Sequence, residues 1–223
     1  MREGLWPVTV AARRVGGPPV ILRALHTQDR RQWEALRAAN IEWLRPWEAT
    51  SPEPTETGLA FRQMVRHFDR EASKGHFQPF VIETEGRLIG QMHLFGIAWG
   101  SLRSACAGYW VAESVAGQGI VPFALAAACD HAFLVLGLHR VEVNIRPENT
   151  ASLRVVEKLD FREEGLRRHY LHIDGAWRDH RSFALTSEDR GRGSLVERWN
   201  HSQEPDMGEA DQRHQRHTAA DPL

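Results

Sequence analysis

The chain has 223 residues, 42% of them hydrophobic, which bounds it to one large domain or two small ones with enough apolar mass for a core. Its 28 Lys and Arg against 29 Asp and Glu leave a net charge of −1, which argues against an obligate nucleic-acid binder. No apolar run reaches the roughly 18 residues of a spanning helix, and the N-terminus lacks the charged-then-apolar layout of a signal peptide. Cys106 and Cys129 form no spacing pattern and read as small buried hydrophobes. The expectation is a cytoplasmic protein with no membrane partner.

An irregular arm ends at Pro18-Pro19, and Val20-Ile21-Leu22-Arg23 reads as a short strand. Thr27 is placed to cap a helix from Gln28 to about Asn40, with Trp33 and Leu36 on its apolar face. Pro52 and Pro54 punctuate a loop, and Thr55 is placed to cap a second helix. In that helix Phe61, Met64, Val65 and Phe68 recur at helical spacing, and Lys74-Gly75 closes it. Phe77 to Thr84 and Arg87 to Phe95 flank Glu85-Gly86 and predict a hairpin, followed by a strand over Ala105 to Val111. Phe123 to Leu136 reads as a helix ending near Gly137, and Val141 to Ile145 as a strand. A short helix over Thr150 to Leu159 precedes a second hairpin, Gly165 to Ile173 and Ala176 to Leu185 around Asp174-Gly175. This order predicts an α/β (α+β) fold with a mixed sheet, in which the Phe123 helix is a crossover between parallel strands. Residues 1–199 are taken as one domain with its core over about 20–187. Residues 200–223 are polar and predicted to be a disordered tail, with Ser194 to Trp199 forming one docked helical turn.

Gly117-Gln118-Gly119-Ile120-Val121-Pro122 is the most informative stretch. It joins the strand at Tyr109-Trp110-Val111 to a helix, so the N–H groups of the turn and the helix start converge on one anion site. Pro122 is assigned to the first helical position, where a missing N–H costs nothing. Pro147-Glu148-Asn149-Thr150-Ala151-Ser152 opens another helix about thirty residues on. A phosphate cradle beside a polar helix start suggests a nucleotide-bearing cosubstrate.

The order and spacing of Leu22-Arg23, Trp43-Leu44-Arg45-Pro46-Trp47, Gly108-Tyr109-Trp110-Val111, Gly117-Gln118-Gly119, Pro147 to Ser152, Glu157 to Phe161 and Ile173 to Asp179 resemble the GCN5-related N-acetyltransferase superfamily. Within it they look like the RimJ/RimL branch of ribosomal-protein N-alpha-acetyltransferases. The resemblance spans roughly Val20 to Ser187. It implies a splayed sheet flanked by helices, with acetyl-CoA as cosubstrate and no metal. The pantetheine would lie beside Tyr109, Trp110 and Val111, and the pyrophosphate on Gln118, Gly119, Ile120, Val121 and Pro122. Asn149 and Ser152 would face the pantetheine and thiol. The chain departs from the family pattern at Ala116, which replaces a long polar residue, and at Val121, which adds bulk near the cradle. It also has Asp160 where glycine is usual, at a position that calls for left-handed backbone.

In the family reading a backbone N–H near Val111 polarises the thioester carbonyl, and Ser152 relays a proton to the leaving thiolate. The glutamate that some relatives use as base falls on Leu171. Glu113 is the first substitute, followed by Tyr170 and His169. Each residue has a plainer reading: Asn149 is a good N-cap, Ser152 can solvate a helix start, and Glu113 suits a solvated loop. Arg167, Arg168, His169, Arg178 and Arg181 read either as a basic docking surface or as a solvated sheet face. The acceptor expected is a protein N-terminus, with ribosomal proteins among the candidates, on an enzyme that is a monomer or a homodimer. The alternatives are a small amine (an amino acid or an aminoglycoside) and a non-catalytic acyl-CoA-binding module.

Overall fold

In the computed structural model, which describes residues 6–53, 59–191 and 193–203, the described strands form one eight-stranded sheet. They are β1 (Val10–Ala12), β2 (Val20–Ala24), β3 (Phe77–Thr84), β4 (Arg87–Ala98), β5 (Ser104–Val111), β6 (Arg140–Ile145), β7 (Arg162–Ile173) and β8 (Ala176–Thr186). The order across the sheet is β1-β2-β3-β4-β5-β6-β8-β7, and the one parallel pair is β5 with β6. The helices are α1 (Arg30–Ala39), α2 (Ile41–Leu44), α3 (Phe61–Ser73), α4 (Ile120–Asp130), α5 (Thr150–Glu157) and α6 (Leu195–Gln203).

Alternation along the strands separates two cores. Phe80, Ile82, Met92 and Leu94 face a large cluster built on α4, with Leu195 and Trp199 of α6. Val81 and Leu88 turn the other way, onto Leu25, Phe61, Val65 and the partly buried Trp33, Leu36, Met64 and Phe68 of α1 and α3. The helical spacing of those apolar residues therefore marks the face it was expected to mark. α4 is the crossover between the parallel strands and is buried almost from end to end, because small Ala124, Ala126, Ala127 and Ala128 let it lie close to the sheet. It continues as a π-helical segment, His131–Leu136, which Gly137 ends with left-handed backbone at φ 69°.

Both hairpins sit where their dipeptides predict. Glu85 and Gly86 have φ of 49° and 72°, and Asp174 and Gly175 have 46° and 76°, the doubly left-handed turn that matches strand twist. Asp160, at φ 58°, adopts the left-handed backbone that its position calls for.

Several expectations are corrected. The arm before Pro18 is not wholly irregular, since Val10–Ala12 pairs with Val20–Leu22. Thr27 does not cap α1 with its side chain; the Asp29 carboxylate accepts the His26 N–H at 2.8 Å and is itself gripped by Arg23 at 2.8 and 3.1 Å. α4 begins at Ile120, so Pro122 is its third residue rather than its first. α6 runs to Gln203, and residues 200–203 are helix rather than tail. Residues 204–223 and the Thr55 cap lie outside the described residues.

The seam between β5 and β6 is the feature that builds the site. The two strands pair only over Ser104–Cys106 against Arg140–Glu142. β5 stays on β4 as far as Val111, and β6 stays on β8 as far as Ile145. Ala107–Val111 and Val143–Ile145 therefore diverge, giving the expected mixed, splayed sheet flanked by helices. Among the described residues no helix is long and apolar enough to cross a membrane.

Candidate active site

A cleft of about 450 Å³ opens where the strands part. Its walls are Tyr109, Trp110 and Val111 of β5, the turn and first residues of α4, the start of α5, and Trp43 and Trp47 from the α2 region. Strand parity fixes what β5 offers it. The Ala112 N–H donates to Ile89 O on the β4 side at 2.8 Å. Residues of opposite parity, Tyr109 and Val111, therefore turn their N–H and C=O groups to the open side. Trp43 Nε1 confirms this by donating to Val111 O at 3.1 Å, which leaves the Val111 N–H as the donor near that wall. Asn40, buried at the end of α1, accepts the Glu113 N–H on Oδ1 at 2.9 Å and clamps the chain leaving β5.

At the other wall Gly119 starts α4 in left-handed backbone, φ 72°. Such a start leaves the N–H groups of Gly119, Ile120 and Val121 without intrahelical partners, and Pro122 has none to offer. With the positive end of the helix dipole, these donors suit a phosphate. Arg154 on α5 and Lys158 at its C-terminal cap line the same cleft and reinforce the attraction; the one carboxylate in the lining, Glu148, is paired with Arg146 at 3.2 Å. Gly119 is backed by Arg14 and Trp199, each 3.5 Å from where a Cβ would stand.

Asn149 caps α5, with its Oδ1 accepting the Ser152 N–H at 3.0 Å. The plain reading of Asn149 is thus correct, and the same cap holds Ser152 in the lining. The Tyr109 hydroxyl is fully buried toward Ser152, with no protein hydrogen bond of normal geometry, and burial pushes its pKa up so that it stays a phenol.

A second cavity of about 260 Å³ lies across the seam and shares Tyr109, Asn149, Ser152 and Trp47 with the cleft. Tyr170, Leu171, His180, Asn144 and Arg146 line it. Arg146 reaches Pro46 O at 2.6 Å and stacks over Trp47 at 5.4 Å, while Ala49 bridges Ile173. Residues 46–50 are thereby strapped across this side. Ser152 sits at the junction of the two spaces, one holding anion donors and the other a histidine.

The predicted site residues divide accordingly. Tyr109, Trp110, Val111, Gly119, Ile120, Val121, Pro122, Asn149 and Ser152 all line the cleft. Gln118 does not: its amide donates to Ser114 O at 3.1 Å and its carbonyl accepts from Arg14, so it braces the turn from outside. Tyr170 lines the second cavity. Glu113 is exposed and lines neither space. His169 is also outside, at φ 47° with its N–H donated to Asp179. Of the residues read either as a basic docking surface or as a solvated sheet face, Arg167 is paired with Glu142 at 2.9 Å and Arg181 with Glu163 at 2.5 Å. Asn40, Arg154, Lys158 and His180 were missed. Only Arg154 and Lys158 carried a sequence signal, as cations at i,i+4 on the helix that Asn149 opens. Both cysteines are free. Among the described residues no three His, Cys, Asp or Glu side chains gather to hold a metal.

A family model described as acetyltransferase (GNAT) domain matches residues 20–162. The chain belongs to that family. RimJ of Mycobacterium smegmatis, solved in complex with CoA-disulfide, superposes on this acetyltransferase with a TM-score of 0.81 at 39% identity, over 88% of this chain and 95% of that one. The ribosomal protein uS5-alanine N-acetyltransferase of Escherichia coli (strain K12) is 31% identical over 173 residues, covering 76% of this chain and 89% of that protein. A probable N-acetyltransferase of Bacillus subtilis (strain 168), YjcK, is 31% identical over 175 residues, covering 78% and 97%. The matched span carries this GNAT enzyme's β2 through the start of β7, and so includes both walls of the cleft.

Proposed function

We propose that this acetyltransferase is a cytoplasmic enzyme that acetylates the N-terminal α-amine of a protein, a ribosomal protein being the class its relatives suggest. The observation that carries the acceptor is the composition of the second cavity: its lining holds Arg146 and no carboxylate. A polyamine or aminoglycoside brings several cationic amines and calls for acidic groups, whereas a peptide N-terminus brings one amine and a neutral backbone. Proton energetics favour the same choice. An α-amine has a pKa of ~8 against ~10.4 for lysine, so exposing its lone pair at neutral pH costs about 3 kcal/mol less.

The chain's groups fit acetyl-CoA, which supplies an acetyl group activated as a thioester. The N–H groups of Gly119, Ile120 and Val121, with Arg154 and Lys158, would hold its phosphates. The Tyr109 and Val111 main chain would take up the pantetheine amides and orient the acetyl carbonyl, to whose developing negative oxygen the Val111 N–H can donate. Ser152, at the junction of the two spaces, is placed to hand a proton to the departing sulfur.

Calorimetric titration with acetyl-CoA and then mass spectrometry of peptides beginning with Ala, Ser or Met, beside spermidine, free amino acids and an aminoglycoside, tests this. Saturable binding with acetylation confined to peptide N-termini is expected. Acetylation of the small amines alone overturns the acceptor, and binding without any turnover makes the protein an acyl-CoA-binding module.

A further inference from the structure

We propose that His180 is the proton acceptor for the amine substrate, acting through Nε2 from the wall of the second cavity. The proposal rests on the acetyltransferase reading above. His180 stands on β8 opposite Arg167 of β7, where β7 bulges between Arg167 and Leu171. The residue is 3% exposed and lines the cavity beside Tyr170, Leu171, Ser152 and Asn149.

Two contacts fix its chemistry. Nδ1 lies 3.1 Å from Arg178 O, and a carbonyl oxygen can only accept. Nδ1 therefore carries the hydrogen, and Nε2 of the neutral ring keeps its lone pair. Among the described residues no protein group hydrogen-bonds Nε2. Tyr170 packs edge-on against the imidazole at 5.4 Å and fixes its plane. The arrangement is that of a general base held by one nitrogen and free at the other.

The other candidates fail on position or charge. Leu171, where the relatives' glutamate falls, cannot take a proton. Glu113 and His169 lie outside the cavity. His172 is outside its lining and is occupied by Thr50 Oγ1 at 2.7 Å. Tyr170 offers a phenol hydroxyl rather than a basic nitrogen, and its ring edge is packed against the His180 imidazole. Of the titratable residues in the lining (Tyr109, Arg146, Tyr170 and His180), His180 alone offers a basic lone pair at neutral pH.

The surroundings keep it neutral. Burial is the main cause that lowers the His180 pKa; the hydrogen bond to Arg178 O opposes this, Arg146 adds to it, and Glu148 and Asp179 oppose it weakly. On the β7 side Arg167 lies over the Tyr170 ring at 4.9 Å. The ring is therefore ready to accept a proton rather than already holding one.

The step balances. The α-ammonium gives one proton to His180 Nε2, and the freed lone pair forms the C–N bond to the thioester carbonyl carbon. The C–S bond breaks with its electron pair on sulfur. The second nitrogen proton ends on that sulfur, through Ser152. His180 returns its proton to solvent, so one proton is released per amide formed.

The test compares the wild type with His180→Gln on one α-amine peptide from pH 5 to 9. A matched peptide ending in an aminooxy group, whose nitrogen is a neutral NH2 rather than an ammonium at pH 7, is run beside it. The expected result is a fall in kcat/KM of about 100- to 1,000-fold for the α-amine. The limb below pH 6.5 should vanish, the aminooxy peptide should react at a near wild-type rate, and the acetyl-CoA Kd should be kept. An unchanged pH profile, or equal losses on both peptides, overturns the proposal. If His180→Gln does not bind acetyl-CoA, nitrogen NMR of the wild-type imidazole decides instead: a proton on Nδ1 and a bare Nε2 at pH 7 support it, the reverse tautomer sinks it. If the wild type acetylates a small amine but no peptide, the acceptor reading falls and the same comparison is run on that amine. If it acetylates nothing, both fall.

Discussion

The Tyr109 hydroxyl is buried without a hydrogen bond of normal geometry to any protein group. An unsatisfied buried hydroxyl costs about 1–3 kcal/mol. Tyr109→Phe is therefore expected to raise the thermal midpoint by a few degrees without ligand, since ~1 kcal/mol shifts a domain of this size by about 2–4 °C. It should weaken acetyl-CoA binding by about tenfold if the hydroxyl meets the ligand; calorimetry and a melting curve on the same sample check both signs. Ser152 is a different case, because its N–H is held by Asn149 whatever its side chain is. Ser152→Ala should leave the melting temperature alone and lower kcat by about 10- to 1,000-fold at unchanged acetyl-CoA affinity. An unaltered kcat would reduce Ser152 to a helix-start residue.

At the scale of elements, α6 behaves as part of the cleft rather than as an appendage. Its first N–H groups are capped from a distance: the Asp130 carboxylate on α4 accepts from Leu195 at 2.8 Å and from Val196 at 3.0 Å. Leu195 and Trp199 then bury themselves on α4, and Trp199 supports Gly119 from behind. Trp199→Ala removes a buried aromatic and should cost about 3–5 kcal/mol. It should also weaken acetyl-CoA binding, because the cradle loses its backing. Trp199→Phe should fall between wild type and Trp199→Ala, since it keeps a ring on α4 and under Lys158 but lacks the Cζ2 that backs Gly119. Urea unfolding and calorimetry on the two variants test the link; full acetyl-CoA affinity in Trp199→Ala would break it.

For the whole molecule, buried histidines make stability depend on pH, His93 and His131 most strongly. His93 sits among Phe68 and Phe77, and His131 against Phe80, each with an unpartnered Nε2. Burial pushes both down to about 4 from 6.5. Above pH 6.5 both states hold neutral rings and the folded state is fully favoured. As pH falls from 6.5 toward 4 the unfolded chain takes up protons that the folded one refuses, and stability is lost. The limit is about 3 kcal/mol per histidine. Urea midpoints at pH 7.5 and 5 should differ accordingly, and His93→Phe with His131→Phe should shrink the difference to what His180, also pushed down by burial, contributes.

The same scale shows what was legible in the sequence. Glu85-Gly86 and Asp174-Gly175 were readable because a left-handed turn is decided by the residues inside it. Gly119, Asn149 and Ser152 were readable because a helix start is local. Asn40, Asp130 and His180 were not. Their partners Glu113, Leu195 and the cavity wall lie far along the chain or appear only when β7 bulges, and nothing near them in sequence announces those roles. β1 was missed because three residues carry almost no pattern, and the π-helical segment because its composition is that of the helix it continues.

The parting of β5 and β6 after Cys106 divides the sheet into two leaves, β1–β5 and β6-β8-β7, joined by three residue pairs and the α4 crossover. Pulled apart, the two leaves separate along that short row of bonds. A molecule laid across that row and bonded to both leaves would act as a rivet. Acetyl-CoA should thus raise the force needed to separate the leaves in a single-molecule pull, far more than it changes the force needed to peel β7 from β8.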